Sequence, residues 1–290
     1  MSDPLVAALP ALDEPLLLEK ESRLRRALAG FESVIVAFSG GTDSAYLAWV
    51  ATDLLGDRAQ CLTADSASYP ARHREIAVGL ARDFRLRHEF IVTSEMDDPN
   101  YRANEPDRCY YCKQELFTRL TALARARAVA AVLDGANADD RGDYRPGRKA
   151  ARELGVLSPL DDADLNKDEI RELSRRAGLP TWDQPASACL SSRIPYHSPV
   201  TPGKLAMIDR AEGVLAGLGF RVYRVRHHDD LARVEVGPAE MARALDPAVR
   251  DALVRDLKAL GYRFVTLDLQ GYRMGSLNEG LRLEPVRPQS

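Results

Sequence analysis

The sequence predicts an α/β fold, with a parallel sheet and helices on both of its faces, followed by a small α+β domain. Apolar runs rich in β-branched residues alternate with helical segments through the first two thirds of the 290 residues, an order that is typical of parallel sheets. A glycine-rich turn at residues 39–44 joins the first strand to the next helix. After residue 200 the order changes to helix, two strands, helix and strand.

The first strand is predicted at residues 33–38, because the run SVIVAF is short, apolar and β-branched, as buried parallel strands are. Pro70 suits the first position of a helix, and the motif Asn-Lys-Asp-Glu at residues 166–169 is a capping box that opens another. The further predicted elements are a helix over 44–55, a strand over 59–64, a helix over 70–84, a strand over 89–93, a helix over 110–127, a strand over 130–134 and a helix over 166–177.

The C-terminal third begins with a helix start at Thr201-Pro202. Its predicted elements are a helix over 201–218, strands over 221–226 and 232–236, a helix over 246–260 and a strand over 263–269. We therefore predict a first domain over residues 1–185, a second over 200–275 and a tail over 276–290. Residues 181–199 contain three prolines and no clear period, which indicates an ordered loop or linker.

Composition excludes several classes of protein. The formal net charge is −3, so the chain lacks the global basic field of a nucleic-acid-binding protein. No apolar run approaches the length of a membrane span, and the N-terminus has no basic region before its apolar stretch, unlike a signal peptide. Four cysteines are too few for a disulfide scaffold. We expect a cytoplasmic protein with no membrane partner.

The turn Ser-Gly-Gly-Thr-Asp-Ser is a candidate phosphate site. Backbone N–H groups at such a turn converge on an anion, helped by the positive end of the helix. No Lys-Ser/Thr pair follows, so this is not a Walker A loop. The motif resembles the PP-loop of ATP pyrophosphatases, in which a substrate oxygen attacks the α-phosphate and pyrophosphate leaves. A turn without a ligand is the alternative. The predicted ATP-binding residues are Ser39, Gly40, Gly41, Thr42, Asp43 and Ser44.

Two further loops follow predicted strands. In an open α/β sheet, ligands lie beyond the carboxyl ends of the strands. Asp65 and Ser66, after the second strand, are therefore predicted to border the adenine, and an ordinary polar turn is the alternative. The loop GANADDRGDYRPG at residues 135–147 is long for a compact domain, and loops of that length are often functional.

Three cysteines form a second candidate site. Cys109 and Cys112 make a Cys-x-x-Cys pair at a predicted helix start, and Cys189 lies in the long loop. Thiolates suit an iron–sulfur cluster or zinc. Three of them can hold a four-iron cluster with one iron open, whereas structural zinc needs a fourth protein ligand. A redox pair and cysteines without a metal are the alternatives. Cys61, inside a predicted strand, is interpreted as a core residue.

Four longer motifs resemble the LarE family, the ATP-dependent sulfur transferases of nickel-pincer-nucleotide biosynthesis. They are RCYYCKQELF, GANADDRGDYRPG, PASACLSSRIPY and GYRMGSLN, and the resemblance covers residues 30–280. In one form of the family, a cysteine matching Cys189 gives up its sulfur and becomes dehydroalanine. In the other form, three cysteines hold a [4Fe-4S] cluster that relays sulfide. This chain has the cysteines of the second form.

The resemblance implies a pyridinium dicarboxylate mononucleotide as substrate. ATP adenylates one carboxylate, and sulfur then displaces AMP to leave a thiocarboxylate. It further implies a homo-oligomer and a supply of sulfide or another sulfur donor. Asp43 would position the Mg²⁺ that offsets the triphosphate charge, Cys189 would take part in sulfur transfer, and Lys113 would stabilise an anionic intermediate.

The remaining implied roles concern nucleotide and substrate binding. Arginine side chains would hold the substrate phosphate through forked hydrogen bonds, and a solvated surface position is the alternative for each. The predicted arginines are Arg193, Arg224 and Arg226. In the loop after the fourth strand, Gly135 and Asn137 are predicted beside ATP, and Asp140, Asp143 and Arg145 beside the substrate.

Two positions depart from the family's pattern. Thr42 stands where many PP-loops carry an aliphatic residue. His197 follows Pro195-Tyr196 where glycine is expected. A histidine there would either approach the cluster and substrate or lie on the surface.

Two other classes of function compete with this one. Another PP-loop enzyme, such as a tRNA thiolase or an amide-forming synthetase, would share the ATP chemistry. A thiolase needs an RNA-binding surface, and a net-acidic chain with few aromatic candidates gives little support for one. A non-catalytic nucleotide sensor would leave the three cysteines and the acidic loop unexplained. Pyrophosphate release separates an enzyme from a sensor.

Overall fold

The N-terminal part of the protein is built on a four-stranded parallel sheet. The computed structural model describes residues 10, 12–142, 146–185, 188–273 and 275–278. The order of the strands across the sheet is β3-β2-β1-β4, so the predicted parallel sheet is confirmed. The strands are β1 (Val34–Ala37), β2 (Ala59–Asp65), β3 (Arg87–Val92) and β4 (Ala131–Leu133).

Helices pack on this sheet and around its edges. They are α1 (Glu14–Ala29), α2 (Thr42–Leu55), α3 (Ala71–Asp83), α4 (Pro99–Ala103), α5 (Arg108–Ala126), α6 (Pro146–Glu153), α7 (Pro159–Asp162) and α8 (Lys167–Arg176). The predictions of α2, α3, α5 and α8 are confirmed, whereas α1, α4, α6 and α7 are not predicted from the sequence. The sequence does contain a helix-start signal for α1, because Asp13 is the N-cap residue and a proline lies in the first turn.

The alternation of side chains along β1 divides the core into two layers. Val34 and Val36 pack in a cluster with residues of α1, α2 and α8, while Ile35 belongs to a second cluster with residues of α5 and α6. Successive side chains of a strand point to opposite faces of a sheet. The prediction of helices on both faces is therefore confirmed.

The C-terminal part has its own sheet and its own apolar cluster. Strands β5 and β6 are antiparallel, and β7 joins β6 in parallel, so the predicted small α+β unit is confirmed. Its elements are α9 (Pro202–Gly217), β5 (Tyr223–His228), β6 (Leu231–Val236), α10 (Met241–Ala244), α11 (Pro247–Ala259) and β7 (Phe264–Leu267). The domain boundaries stay a prediction, and most of the predicted tail lies outside the described residues.

Hydrogen bonds and an ion pair join the N-terminal part of the chain to the C-terminal part. The Arg72 guanidinium of α3 donates to the Tyr223 hydroxyl at 2.8 Å, and Arg221 donates to Asp183 at the same distance. The small sheet is thus held against α3 and against the segment that links the two parts. Across the described residues, no helix is both long and apolar enough to cross a membrane.

A buried ion pair connects α1 to α8. Lys20 Nζ donates to the two carboxylate oxygens of Glu169 at 2.9 and 3.1 Å, and neither side chain is more than 10% exposed. Glu169 is also the last residue of the predicted capping box, since it accepts the Asn166 N–H at 2.8 Å. The pair therefore fixes the point at which α8 begins.

We expect Lys20→Met to lower the free energy of unfolding by about 3 kcal/mol, because it leaves the Glu169 carboxylate buried without its cation. Arg23 pairs with Glu19 at exposed positions of the same helix. Arg23→Met is therefore the matched control and should cost less than about 1 kcal/mol. Urea unfolding followed by circular dichroism measures both, and equal effects would contradict this role of Lys20.

Candidate functional site

The PP-loop, residues 39–44, joins β1 to α2 at the carboxyl edge of the sheet. Gly40 has a φ of +72°, a left-handed conformation that favours glycine. The Ser39 and Ser44 hydroxyls are 3.0 Å apart. Gly41 precedes the first helical residue and has no side chain to cap α2, so a bound phosphate would satisfy the first N–H groups of the helix.

The loop after β4 closes on the same helix end. A Cβ at Gly135 would lie 3.0 Å from the backbone nitrogen of Ser44, so a larger residue would have to push this loop and the start of α2 apart. Asn137 and Asp140 are buried, and the Asp140 carboxylate accepts the Asn137 N–H at 3.1 Å. These three predicted residues thus share one loop beside the PP-loop. The predicted residues Asp143 and Arg145 lie outside the described residues.

Thr42 connects the PP-loop to the segment that carries Cys189. Its side chain is buried, and its hydroxyl donates to the Thr181 carbonyl at 2.7 Å. An aliphatic residue cannot donate this hydrogen bond. The departure from the usual PP-loop sequence therefore adds a contact between two parts of the site.

Asp43 is paired with a lysine that the sequence motifs do not reveal. Lys167 Nζ, at the start of α8, donates to Asp43 Oδ2 at 2.5 Å. The other carboxylate oxygen, Oδ1, is buried and has no hydrogen-bond partner among the described residues. A buried carboxylate oxygen requires a donor or a cation, and oxygen ligands suit Mg²⁺. Asp43 therefore fits the role of a magnesium ligand.

The two residues predicted beside adenine lie at and just beyond the carboxyl end of β2. Asp65 forms an ion pair with Arg74 of α3, and the Arg74 guanidinium lies 4.3 Å from the centre of the Phe90 ring. The Ser66 hydroxyl is 3.0 Å from that of Ser68. An adenine bound at this edge would have Arg74 as a neighbour, and the adenine-binding role of both residues stays a prediction.

The three candidate cysteines are free thiols on two separate elements. Cys109 and Cys112 lie in the first turns of α5, and Cys189 directly precedes a short 3-10 turn, Leu190–Arg193. Cys109 is an exposed residue and Cys112 is half-buried, but desolvation of the sulfur atoms raises the pKa of both thiols, and the charge of Cys189 raises both further. The Cys189 thiol is thus close enough to the pair for their charges to interact.

Two cations lie beside these thiols. Arg108 is 2% exposed, and although burial opposes its charge, the neighbouring Cys189 and Cys109 raise the pKa of the guanidinium. Lys113 is exposed, and its charge lowers the pKa of Cys109 and Cys112 against the effect of burial. Both cations therefore favour thiolates, the form that binds metals.

This set of donors has the chemistry of an iron–sulfur site, with three interacting thiols and a buried guanidinium to offset thiolate charge. Within the ranges that the structure describes, however, no three His, Cys, Asp or Glu side chains stand in the arrangement of a metal site. The cluster therefore stays a prediction. Cys61 is fully buried in the core, where burial raises the pKa of its thiol to about 12, and its interpretation as a core residue is confirmed.

Asn104 binds the Cys189 segment to the start of α5. It is fully buried and has a φ of +59°. Its side-chain amide donates to the Pro195 and Ser198 carbonyls, both at 2.8 Å, and its backbone carbonyl accepts the His197 N–H at 3.1 Å. Its side-chain oxygen accepts from Arg108. Asn104 thus makes several hydrogen bonds that order the loop after Cys189.

His197 has a left-handed backbone with a φ of +66°, which explains why glycine is expected at this position. Its side chain is 66% exposed, and Nδ1 lies 2.9 Å from a carboxylate oxygen of Glu105. His197 is therefore a surface histidine.

The three predicted phosphate-binding arginines are buried, so the solvated-surface alternative is wrong for all of them. Arg193 makes two hydrogen bonds to Glu212, at 2.8 and 3.0 Å, and a third to the Cys189 carbonyl at 3.1 Å. Arg226 makes two to Glu235, at 2.9 and 3.2 Å. Both guanidiniums already have carboxylate partners, and Arg193 anchors the Cys189 segment to α9.

Arg224 differs from the other two arginines. It donates to the Tyr272 hydroxyl at 2.8 Å, but its Nε is buried without a hydrogen-bond partner among the described residues. Burial lowers the pKa of Arg224, and the charges of Arg193 and Arg226 lower it further, against the opposing effect of Tyr272. A buried cation beside two others favours the binding of an anion.

Several residues of the site are not predicted from the sequence. Asn104 contacts residues that lie 91 and 94 positions further along the chain, so no local pattern marks it. Lys167 lies within the capping-box motif, in which only Asn166 and Glu169 have an evident role. Tyr69, whose hydroxyl donates to the Ser39 carbonyl at 2.9 Å, belongs to an ordinary loop. Of these residues, only Arg108 could have been predicted from the sequence, because it directly precedes Cys109.

The sequence matches no family model, but related proteins cover nearly the whole chain. It is 42% identical over 266 residues to an uncharacterized protein of Synechocystis sp., covering 92% of this chain and 99% of the relative. It is 38% identical over 266 residues to the pyridinium-3,5-bisthiocarboxylic acid mononucleotide synthase of Lactiplantibacillus plantarum, covering 91% and 96%. It is 26% identical to a component of the glutamine-hydrolyzing GMP synthase of Methanoculleus marisnigri, over 68% of each chain.

We expect Asn104→Gly to loosen the Cys189 segment, because glycine keeps the left-handed backbone but leaves the partly buried Pro195 and Ser198 carbonyls without their donor. A loss of about 2 kcal/mol corresponds to roughly 30-fold faster amide exchange in residues 190–200, measured by hydrogen exchange and mass spectrometry. Asn100→Ala, at an exposed position of α4, is the control. Unchanged exchange in Asn104→Gly would show that other contacts order the segment.

Proposed function

We propose a function from the premise that this chain belongs to the LarE family of PP-loop enzymes, to which the pyridinium-3,5-bisthiocarboxylic acid mononucleotide synthase belongs. The chain is then a sulfur-transferring enzyme that acts on a pyridinium dicarboxylate mononucleotide and forms a thiocarboxylate. One observation carries the proposal: the Cys189 segment is bound at the same time to the start of α5, through Asn104, and to the PP-loop, through Thr42.

In the first step, we propose that ATP activates the substrate carboxylate. A carboxylate oxygen attacks the α-phosphorus, the bond to the bridging oxygen breaks, and pyrophosphate leaves with the electron pair. The PP-loop N–H groups would bind phosphate oxygens, and Asp43 would hold a Mg²⁺ that offsets the developing charge. The unpartnered Asp43 Oδ1 and the similarity to a GMP synthase component support the use of ATP here.

Substrate binding is assigned chiefly to Arg224. Its unpartnered Nε and its lowered pKa support a role in binding the substrate phosphate. Arg193 and Arg226 would act through their charges, since carboxylates occupy their forked donors. Asp140 and the loop that contains it would border the adenylate, together with Asp143 and Arg145.

In the second step, sulfide attacks the carbonyl carbon of the acyl adenylate, the bond from that carbon to the AMP oxygen breaks, and AMP leaves. Cys109, Cys112 and Cys189 would hold a [4Fe-4S] cluster, which when bound supplies this sulfide from an iron without a protein thiolate. Arg108 and Lys113 would oppose the effect of burial on the pKa of Cys109, and Lys113 would also stabilise negative charge on the intermediate. Family membership also suggests a homo-oligomer, a sulfur donor and a cytoplasmic location.

We expect Asp43→Ala to lower pyrophosphate release by about 100-fold or more, because the triphosphate charge is no longer offset at the moment of attack. Asp53, at the far end of the same helix, pairs with Arg25 at 2.8 Å, so Asp53→Ala is the matched control. An enzyme-coupled pyrophosphate assay with the pyridinium substrate gives both rates. A folded Asp43→Ala variant with the wild-type rate would refute this role.

Replacing Cys109, Cys112 or Cys189 by alanine should lower iron content and sulfur transfer together and spare adenylation, because each thiolate is needed for the cluster but not for ATP chemistry. Cys61→Ala, which alters a buried core thiol, is the control and should keep its iron. Anaerobic reconstitution with iron and sulfide analysis measures the content of each variant.

The intact mass of the protein distinguishes the two sources of sulfur. A catalytic cluster leaves the mass of the chain unchanged after turnover. Loss of one H₂S at Cys189 per turnover would instead identify Cys189 as a sacrificial donor. Full sulfur transfer by all three alanine variants would contradict both.

A further inference from the structure

Lys167 is a cation at the PP-loop that the proposed function does not use. Its ammonium donates to Asp43 Oδ2 at 2.5 Å, with 28% of the Lys167 side chain and 23% of the Asp43 side chain exposed. Its backbone N–H donates to the Asp139 carboxylate at 2.9 Å. Lys167 is therefore bound to both loops that border the phosphate site.

Hydrogen bonds of neighbouring residues also hold the backbone of Lys167 in place. Asn166 caps α8 by accepting the Glu169 N–H at 2.9 Å, and Glu169 is paired with the buried Lys20. The Leu165 carbonyl accepts the N–H of Ala138 at 2.9 Å, which ties the chain before α8 to the loop after β4. Since its backbone is held, only the side chain of Lys167 has freedom to change partners.

The ammonium group of Lys167 has more N–H donors than its hydrogen bond to Asp43 uses. An ammonium has three N–H donors and no acceptor, and in the part of the chain that the structure describes its hydrogen-bonded partner is Asp43. Asp43 lies in the first turn of α2, where the backbone N–H groups also point. An anion bound to those N–H groups would lie beside the ammonium.

The Asp43 carboxylate creates a need for such a cation. A carboxylate beside a triphosphate repels it unless cations offset both charges. Mg²⁺ would take the carboxylate, because hard cations prefer charged oxygen ligands. The ammonium would then be released towards the phosphate oxygens, which are the other anions at this place.

We propose that Lys167 is a substrate-contacting residue that donates to the β- and γ-phosphate oxygens of ATP, which leave as pyrophosphate, and that Asp43 holds it in position until Mg²⁺ and ATP bind. This proposal rests on the ATP-dependent step of the proposed function. It adds a contact that favours departure of pyrophosphate, since charge builds up on the leaving group as its bond breaks.

Isothermal titration calorimetry with pyrophosphate in the presence of EDTA tests the contact without metal, sulfur acceptor or turnover. We expect Lys167→Met to raise the Kd for pyrophosphate about 10-fold or more, the effect of losing a charge-assisted hydrogen bond. Lys167→Arg, which keeps the charge, should stay within about 3-fold of the wild type. Lys258→Met, at an exposed position of α11, is the matched control and should leave the Kd unchanged.

The variant Asp43→Asn distinguishes two roles of Lys167, direct contact with phosphate and support of the Asp43 carboxylate. If Lys167 contacts phosphate, Asp43→Asn should bind metal-free pyrophosphate at least as tightly as the wild type, because one negative charge is removed. If Lys167 acts only by offsetting the charge of Asp43, adding Lys167→Met to Asp43→Asn will leave the Kd for metal-free pyrophosphate unchanged, and this overturns the proposal. Thermal melting confirms that each variant is folded, and Lys167→Gln replaces Lys167→Met if the latter is not.

The same titrations distinguish a failure of this proposal from a failure of the proposed function. A wild-type chain that binds pyrophosphate and ATP, together with a Lys167→Met variant of equal affinity, overturns only the role of Lys167. A wild-type chain that binds neither ligand, with or without Mg²⁺, overturns the ATP-dependent step and the role of Lys167 together.

Discussion

The buried side chain of Asn104 is the constraint on which the candidate site depends. Its amide donates to carbonyls that lie 91 and 94 residues further along the chain, and loss of these hydrogen bonds would leave partly buried acceptors without this donor. The contact orders the segment after Cys189 against the start of α5. Cys189 thereby comes close enough to Cys109 and Cys112 for their charges to interact.

The starts of three helices supply groups of the candidate site. The PP-loop leads into α2, the cysteine pair lies at the start of α5, and Lys167 begins α8. Helix starts carry unsatisfied N–H groups and a positive dipole end, so they favour phosphates and thiolates. Although the net charge of the chain is −3, two buried arginines that form no ion pair with a carboxylate among the described residues, Arg108 and Arg224, lie in the candidate site.

The segment over residues 181–199 couples the two sheets. Thr181 accepts the hydrogen bond of Thr42 in the PP-loop, Asp183 binds Arg221, and Arg193 pairs with Glu212 of α9. The PP-loop and the C-terminal part of the chain are therefore bound to the same segment.

The sequence by itself determined the parallel sheet, the PP-loop turn and the three-cysteine pattern, because each depends on local rules. The run at β1 is short and β-branched, Gly40 needs a left-handed backbone, and the spacing of Cys109 and Cys112 is that of one helix turn. Only the tertiary structure decided that Lys167 binds Asp43 and that Arg193 and Arg226 have carboxylate partners. It also decided that Arg224 Nε has no hydrogen-bond partner within the described ranges. Those facts depend on contacts between residues distant in the chain, and burial, which sets their charge balance, is a property of the folded molecule.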